Sequence, residues 1–239
     1  MSSRLLIIGG AAGPALLGRF VELSGGRQAR IVVIATASAV PEAAEAAHHE
    51  AFAALGAGQV EPLRLSTRAA ADDERAAAAL RRATGVFFTG GDQERITRVL
   101  AGTATEALLR SLVATGGLVL GGTSAGAAMM SATMIVEGDG PCVRTAPGLG
   151  FLPGVLIDQH FAQRDRMNRL LGAIARYPEQ AGLGIDEDTA ILTDGERFEV
   201  LGNGTVTVVD AGRLHVLPAG RTFHLAGRRP GVAQRGAVA

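Results

Sequence analysis

Cysteine is nearly absent from this 239-residue chain, which contains only Cys142. A single cysteine excludes an internal disulfide framework and a zinc site built from several thiolates. An isolated cysteine is more often an inert small side chain than a nucleophile. Cys142 is therefore not a candidate catalytic group.

Net charge and long apolar runs are also missing. The 23 basic residues are all arginine, they balance 23 acidic residues, and no basic run stands out, which argues against a nucleic-acid partner. No window approaches the ~18 consecutive apolar residues of a membrane span. The apolar run Leu5–Ile8 is too short for the core of a signal peptide. We expect a cytoplasmic protein with no membrane partner.

Length and composition predict one folded domain. Hydrophobic residues make up 47% of the chain and charged residues 19%, as in ordinary globular proteins. The chain is long enough to bury a sizeable core, and neither a repeat nor a linker divides it. We expect a single α/β domain over residues 1–226, followed by a flexible tail over residues 227–239.

The first half of the chain alternates short apolar runs with alanine-rich stretches. Continuous apolar runs are typical of strands buried on both faces of a parallel sheet. Strands are predicted at Leu5–Ile8, Ile31–Ala35, Gly85–Thr89 and Gly117–Leu120. Helices are predicted at Pro41–Leu55, Thr67–Thr84, Asp92–Ala101 and Thr105–Thr115. This alternation predicts a mostly parallel sheet with helices on both faces.

The pattern changes in the second half. A strand at Phe151–His160 and a helix at Ala162–Arg176 continue the alternation. Beyond Gly182, four short β-like runs are separated by turn sequences such as Asp194-Gly195 and Asn203-Gly204, which favour hairpins. The predicted fold class is therefore α/β, with antiparallel β-hairpins added at the C-terminal end.

The segment Gly122–Gly126, "GTSAG", matches the pattern G-x-S-x-G, with Ser124 at its centre. An apolar strand precedes it and a helix-forming stretch follows, which is the context a nucleophilic serine requires. Small neighbours let the strand and helix approach closely, and the helix N-terminus directs free N–H groups at the serine. The alternative is a glycine-rich turn in which Ser124 caps the helix.

A nucleophilic serine needs a base, and the chain has five histidines. His160 follows a predicted strand, as Ser124 does, and ligands bind at the carboxyl ends of parallel strands. One edge of one sheet is therefore expected to carry both residues. In the order found in α/β-hydrolases, His215 or His224 would be the base instead.

Three consecutive acidic residues, Asp186, Glu187 and Asp188, are candidates for the group that orients the base. In an extended segment Glu187 faces opposite to its two neighbours, so either Glu187 alone or one of the aspartates points inward. Asp158, two residues before His160, is a further candidate. Sequence spacing does not choose among them.

Two more features lie near these residues. Gly90-Gly91 follows a buried strand and precedes Gln93, without the Lys-Ser/Thr of a P-loop, so it predicts an oxyanion or substrate-edge role, or a plain helix cap. Arg164, Arg166 and Arg169 follow His160 closely and form either a solvated face or a carboxylate-binding cluster.

Taken in order along the chain, "TGGDQ", "GGTSAGA", "DQHFAQRDR" and "GIDEDTA" resemble motifs of the S51 family of serine peptidases, which includes cyanophycinases and peptidase E. The phrase "DQHF-QR-R" is similar to the cyanophycinase branch. The resemblance extends from "LLIIGG" to the C-terminal hairpins. One departure is "GGAAGPALL", which is small and apolar where the family usually carries charged residues.

The resemblance implies a flavodoxin-like or class I glutamine amidotransferase-like fold and a homodimer. It also implies hydrolysis of a polymer, cyanophycin (multi-L-arginyl-poly-L-aspartate), to β-Asp-Arg dipeptides, with no metal or organic cofactor. It assigns Ser124 as nucleophile, His160 as base and Glu187 as the third triad residue, the N–H groups of Gly91 and Ala125 as the oxyanion hole, and Gln93, Asp158, Gln159, Arg164, Arg166 and Arg169 as substrate-pocket residues.

Two other functions remain open from the sequence. The same triad could serve an aspartyl dipeptidase, or a relative acting on another peptide that contains aspartate or arginine. A protein that binds such a ligand without catalysis is the alternative from another class. In that case Ser124 would carry no reactivity.

Overall fold

The computed structural model describes residues 4–210 and 212–232. Its helices are α1 Pro14–Leu23, α2 Pro41–Ala54, α3 Arg68–Ala71, α4 Glu74–Arg82, α5 Gln93–Leu100, α6 Ala104–Ala114, α7 Ala125–Ala128 and α8 Met167–Arg176. Its strands are β1 Arg4–Ile8, β2 Arg30–Ile34, β3 Gln59–Pro62, β4 Gly85–Phe88, β5 Val119–Thr123, β6 Thr133–Glu137, β7 Arg144–Pro147, β8 Val155–Gln159, β9 Ala181–Ile185, β10 Thr189–Thr193, β11 Arg197–Gly202, β12 Thr205–Asp210, β13 Arg213–Pro218, β14 Arg221–His224 and β15 Arg229–Val232.

Within the described ranges, the largest sheet has nine strands in the order β15-β14-β11-β10-β1-β5-β4-β2-β3. The half from β1 to β3 is parallel, and β10, β11, β14 and β15 extend it in antiparallel fashion. The predicted α/β fold with added C-terminal antiparallel strands is confirmed.

Both faces of the parallel half are covered, and β1 shows why the apolar runs are continuous. Leu5 and Ile7 belong to the core cluster that includes residues of α4, α5 and α6. Leu6 and Ile8 belong to the cluster on the other face, which includes residues of α1 and α2. Because successive strand residues point to opposite faces, a strand covered on both sides needs apolar residues at every position.

Three elements of the first half differ from the prediction. The helix expected at Thr67–Thr84 is two helices, because the Asp73 side chain accepts a hydrogen bond from the Arg75 N–H and caps a new start. Helix α1, opened by Pro14, was not predicted. Strand β3 was also missed, since this edge strand has no buried residue that would mark it in the sequence.

The prediction of a flexible tail over residues 227–239 is wrong for residues 229–232, which form a strand. Strand β15 pairs with β14 in antiparallel register, from Arg229 opposite His224 to Val232 opposite Arg221. Its residues are largely exposed, so hydrogen bonds to β14 rather than an apolar pattern define it. Residues 233–239 of the predicted tail lie outside the described residues, and the single-domain assignment stays a prediction.

A second sheet, in the order β13-β12-β9-β8, packs against the core cluster of the first. Strand β8, which leads to His160, therefore lies in a different sheet from β5, which leads to Ser124. The expectation that one sheet edge carries both residues is wrong. The sequence shows two apolar runs of the same character and does not say which neighbours they pair with.

Alternation along β8 separates two polar neighbours. Val155 and Ile157 contribute to the main core, so Gln159 shares their face, while Leu156 belongs to the cluster under α8. Asp158 shares the face of Leu156, and its side chain is fully buried against Arg169 of α8. Arg169 Nε lies 2.8 Å from Asp158 Oδ2, and Arg169 Nη2 bonds Oδ1.

Tight contact between β5 and α7 shapes the turn that carries Ser124. A Cβ added to Gly126 would lie 2.4 Å from the carbonyl oxygen of Phe88, which belongs to the fixed backbone of β4. A Cβ on Gly122 would meet the Gly126 carbonyl oxygen at the same distance of 2.4 Å. Only glycine fits at these two positions without moving the backbone.

Among the described residues, no helix is long and apolar enough to cross a membrane.

Replacing Gly126 with alanine should lower the free energy of unfolding by about 1–3 kcal/mol, because the methyl group overpacks against backbone. Gly18→Ala is the matched control, since its Cβ would lie 3.6 Å from Leu55 Cδ2 inside helix α1. That change should raise stability by about 0.5–1 kcal/mol. Denaturant titration measures both, and equal effects would contradict the packing argument.

Asp158→Asn should lower the free energy of unfolding by about 3–5 kcal/mol, because it leaves the buried Arg169 guanidinium without its counter-charge. The control Asp165→Asn removes an exposed carboxylate nearby and should change stability by less than about 0.5 kcal/mol. Thermal and denaturant unfolding of both variants provides the measurement. A loss below about 1 kcal/mol for Asp158→Asn would contradict the structural role of the pair.

Candidate active site

Ser124 sits on a strained turn between β5 and α7. Its φ of 54° and ψ of −109° fall outside the favoured regions for a residue with a side chain. Its N–H donates to the Ile8 carbonyl at 3.1 Å, which holds the turn against the end of β1. Strain of this kind persists only where the surroundings fix it, and it is found most often at functional sites.

His160, directly after β8, also has a positive φ, at 49°. Its N–H donates to the Gly9 carbonyl at 2.6 Å. Its imidazole packs so closely on the backbone after β1 that a Cβ on Gly10 would lie 2.3 Å from ring atom Cε1. The ring is thereby directed at the serine turn, with Nε2 at 2.9 Å from Ser124 Oγ.

Glu187 completes a chain of hydrogen bonds behind the imidazole. Glu187 Oε1 lies 2.5 Å from His160 Nδ1, and the Glu187 N–H donates to Gln163 Oε1 at 2.9 Å. Because a carboxylate only accepts, Nδ1 carries the proton and Nε2 is left to accept the serine hydroxyl. This tautomer is the one a general base requires.

The two neighbouring aspartates hold backbone instead. Asp186 Oδ1 accepts the Ala162 N–H at 3.0 Å, and its Oδ2 accepts the Thr205 N–H at 2.9 Å. Asp188 accepts the Gly13 N–H at 2.8 Å. Of the consecutive acids, Glu187 alone bonds the imidazole, while the others fix the segments on either side.

The pKa of His160 is lowered from its ordinary value of about 6.5, chiefly by burial. The hydrogen bond and charge of Glu187 raise it, and the positive charges of Arg164 and Arg166 lower it further. The net direction keeps the imidazole neutral at neutral pH. It is therefore able to take a proton from Ser124.

Free backbone donors lie beside the serine. Among the described residues, the N–H groups of Ala125, Gly90 and Gly91 have no hydrogen-bond acceptor. A Cβ on Gly90 would be 3.4 Å from Ser124 Cβ, so the diglycine backbone runs directly past the hydroxyl. Ala125 is the first residue of α7, where intrahelical partners for N–H groups do not exist. Such donors can hold a negatively charged oxygen.

Gln159 and Arg166 form the polar wall next to the serine. Gln159 Oε1 lies 3.5 Å from Ser124 Oγ and accepts from Arg166 Nη1 at 2.9 Å. Arg166 Nη1 also bonds the Gln159 carbonyl at 2.5 Å. Burial and the nearby Arg169 lower the pKa of Arg166 to about 10, so its guanidinium stays charged at neutral pH.

The remaining predicted pocket residues divide into exposed and buried groups. Arg164 is exposed, and no hydrogen bond or ion pair holds its guanidinium in the described part of the chain. Gln93 is buried and donates to the Ile135 carbonyl at 2.8 Å. Asp158 and Arg169 bind each other below the surface, so the structure does not place them as direct contacts of a ligand. They instead support Arg166 and Gln159 from behind.

The alternative bases lie elsewhere. His215 is on β13, where its ring packs against Phe223 at 5.7 Å between centroids. His224 is an exposed residue of β14 and accepts the Gly227 N–H at 3.1 Å. Neither is hydrogen-bonded to Ser124. Within the described ranges, no cluster of three or more His, Cys, Asp or Glu side chains could hold a metal ion.

Comparison with known proteins places the chain in a family. Residues 5–201 match the profile of peptidase family S51. The protein named cyanophycinase from Synechococcus elongatus is 42% identical over 217 residues, covering 86% of this chain and 67% of the relative. The one from Geminocystis herdmanii is 41% identical over 221 residues, covering 88% of this chain and 81% of the relative.

Solved structures support the fold. A peptidase from an acI-B1 actinobacterium superimposes with a TM-score of 0.78 and 21% identity, covering 94% of this chain and 97% of the other. A putative peptidase E protein from Listeria monocytogenes gives a TM-score of 0.62 and 18% identity, covering 85% and 100%. The family profile spans most of the chain and two relatives exceed 40% identity. The chain is therefore a member of peptidase family S51.

Proposed function

We propose that this chain is a serine peptidase that hydrolyses cyanophycin to β-Asp-Arg dipeptides. The observation that carries the proposal is the continuous hydrogen-bonded chain from Ser124 through His160 to Glu187. The relatives named cyanophycinase supply the substrate class, and they are 38–42% identical to this chain.

Acylation follows from the positions of the side chains. Ser124 Oγ attacks a main-chain carbonyl carbon of the aspartate backbone, and His160 Nε2 accepts the hydroxyl proton. The carbonyl oxygen gains negative charge, and the N–H groups of Gly91 and Ala125 bind it. His160 then donates the proton to the leaving amine as the C–N bond breaks, which leaves an ester on Ser124.

Deacylation repeats the steps with water. His160 takes a proton from a water molecule, the hydroxide attacks the ester carbon, and the same N–H groups hold the second oxyanion. Protonation of Ser124 Oγ by His160 releases the carboxylic acid product and restores the enzyme. Throughout, Glu187 keeps the imidazole in its tautomer and stabilises the imidazolium that forms transiently.

The polar wall and the exposed Arg164 suit a substrate that carries carboxylates. Arg164 and Arg166 place two positive charges near His160, and cyanophycin has a free carboxylate on each arginine branch. Gln159 lies next to Ser124, whereas Gln93 is buried and its place in the substrate pocket stays a prediction. The Asp158–Arg169 pair fixes the back of this wall, so Arg166 meets the substrate in a defined orientation.

The deciding experiment is incubation of the purified protein with cyanophycin granules, with release of β-Asp-Arg followed by mass spectrometry. Ser124→Ala and His160→Ala should each reduce hydrolysis by at least about 1,000-fold, because both belong to one catalytic unit. Ser111→Ala on the exposed face of α6 and His224→Ala should retain wild-type rates.

Three results would contradict the proposal. Intact granules alongside cleavage of a short aspartyl peptide would identify a dipeptidase. Loss of activity in His224→Ala with retention in His160→Ala would reassign the base. Failure of a serine-directed covalent inhibitor to label the protein would instead favour a binding function.

The pH dependence of kcat/KM should follow the His160 pKa, because only the neutral imidazole is a base. Activity should rise with pH through an inflection below about 6.5. Arg164→Gln removes a charge that lowers this pKa, so the inflection should move to higher pH. Glu187→Gln removes the group that raises it, so the inflection should move lower and the maximal rate should fall. Shifts in the same direction would contradict this electrostatic account.

The homodimer and the cytoplasmic location stay predictions. The first came from the family resemblance and the second from the sequence. Light scattering coupled to size-exclusion chromatography measures the mass of the assembly. Fractionation of the source cells locates the protein.

A further inference from the structure

A cavity lies on the same edge of the main sheet as Ser124. Its volume is about 530 Å³, which is within the range of ligand pockets. The cavity lies beyond the carboxyl ends of β2 and β3 and is bounded by α2 and α5. Strands β5, β4 and β2 are successive neighbours. At about 4.8 Å between neighbouring strands, β5 and β2 are roughly 10 Å apart.

The wall between the two sites is a single loop. The Ala37 carbonyl accepts the Asp92 N–H at 2.9 Å, and the Ser38 carbonyl accepts from Arg95 at 3.1 Å. Ser38 lines the cavity, while Asp92 directly follows Gly91 of the oxyanion loop. The cavity therefore adjoins the loop that carries Gly91.

The α2 side of the cavity is acidic and includes a carboxylate with an unused oxygen. Glu45 lines the cavity, only 5% of the residue is exposed, and its Oε2 accepts from Arg64 Nε at 2.9 Å. Its Oε1 is buried and has no hydrogen-bond partner among the described residues. Leaving such an atom unpaired is unfavourable, and a ligand donor would remove that cost. Glu42 lines the same side one helical turn earlier.

The α5 side of the cavity is basic. Arg98 lines it, and no hydrogen bond or ion pair engages its guanidinium within residues 4–210 and 212–232. Leu65 and Val99 also line the cavity and provide apolar surface. The cavity thus offers an acceptor for a cation, a donor for an anion and apolar walls.

We propose that this cavity binds the β-linked arginine branch of the substrate, with Glu45 taking the guanidinium and Arg98 the carboxylate. The inference rests on the proposed function for its substrate. In cyanophycin each arginine is attached through its amino group, so its guanidinium and carboxylate are both free. The branch extends about 10 Å from the aspartate backbone, which is comparable with the separation of β5 and β2. Its methylene groups would contact Leu65 and Val99.

The test is calorimetric binding of a two-unit β-Asp-Arg segment to Ser124→Ala protein, in which no turnover occurs. Two analogues separate the charges: citrulline in place of arginine removes the cation, and agmatine removes the carboxylate. Glu45→Gln in that background should weaken binding of the arginine segment at least about tenfold and leave the citrulline segment within about threefold. Arg98→Gln should weaken the arginine segment and leave the agmatine segment unchanged.

The controls separate this inference from the proposed function. Glu50→Gln, on the exposed side of α2, should change neither affinity. Arg98 is exposed, so its variant provides the test even if Glu45→Gln does not fold. Equal losses for arginine and citrulline segments, or no loss in any variant, would overturn the cavity assignment while cyanophycin cleavage still stood. Absence of cleavage with the charge-specific pattern retained would overturn the proposed function alone.

Discussion

Three consecutive backbone carbonyls at the end of β1 hold the active site together. The Ile8 carbonyl binds the N–H of Ser124, the Gly9 carbonyl that of His160, and the Gly10 carbonyl that of Asp188, next to Glu187. Segments that are far apart in sequence and belong to different sheets are thereby aligned on one short stretch of backbone. The close approach also requires small residues, because the His160 ring occupies the space of a Gly10 side chain.

The electrostatics of the site depend on opposing contributions to the pKa of His160. Glu187 favours the protonated imidazole, whereas burial and the nearby arginines favour the neutral form. The second sheet makes the balance possible, because alternation along β8 places Gln159 toward the serine and Asp158 toward α8. Asp158 neutralises part of the positive charge from below without contacting the imidazole.

Much of this arrangement could be predicted from the sequence, since the motifs are local. The strand, turn and helix around Ser124 follow from the glycine spacing, and the covered faces of the parallel strands follow from their continuous apolar runs. The separation of β5 and β8 into two sheets could not be predicted, because strand pairing is a long-range property. The roles of the three consecutive acids also required the structure, because spacing gives the alternation and not the direction of each side chain. The glycines after β1 are visible in the sequence, but the sequence does not show that the His160 imidazole packs against them.

The three carbonyls at the end of β1 bind segments that are synthesised at very different times. Chains emerge from the ribosome N-terminus first, so the anchoring strand is made early and its last partner much later. Until the segment around Asp188 has been made and has docked, a nascent chain possesses the serine turn but lacks the carboxylate behind its base. The complete triad therefore forms only after residues 187 and 188 have been synthesised.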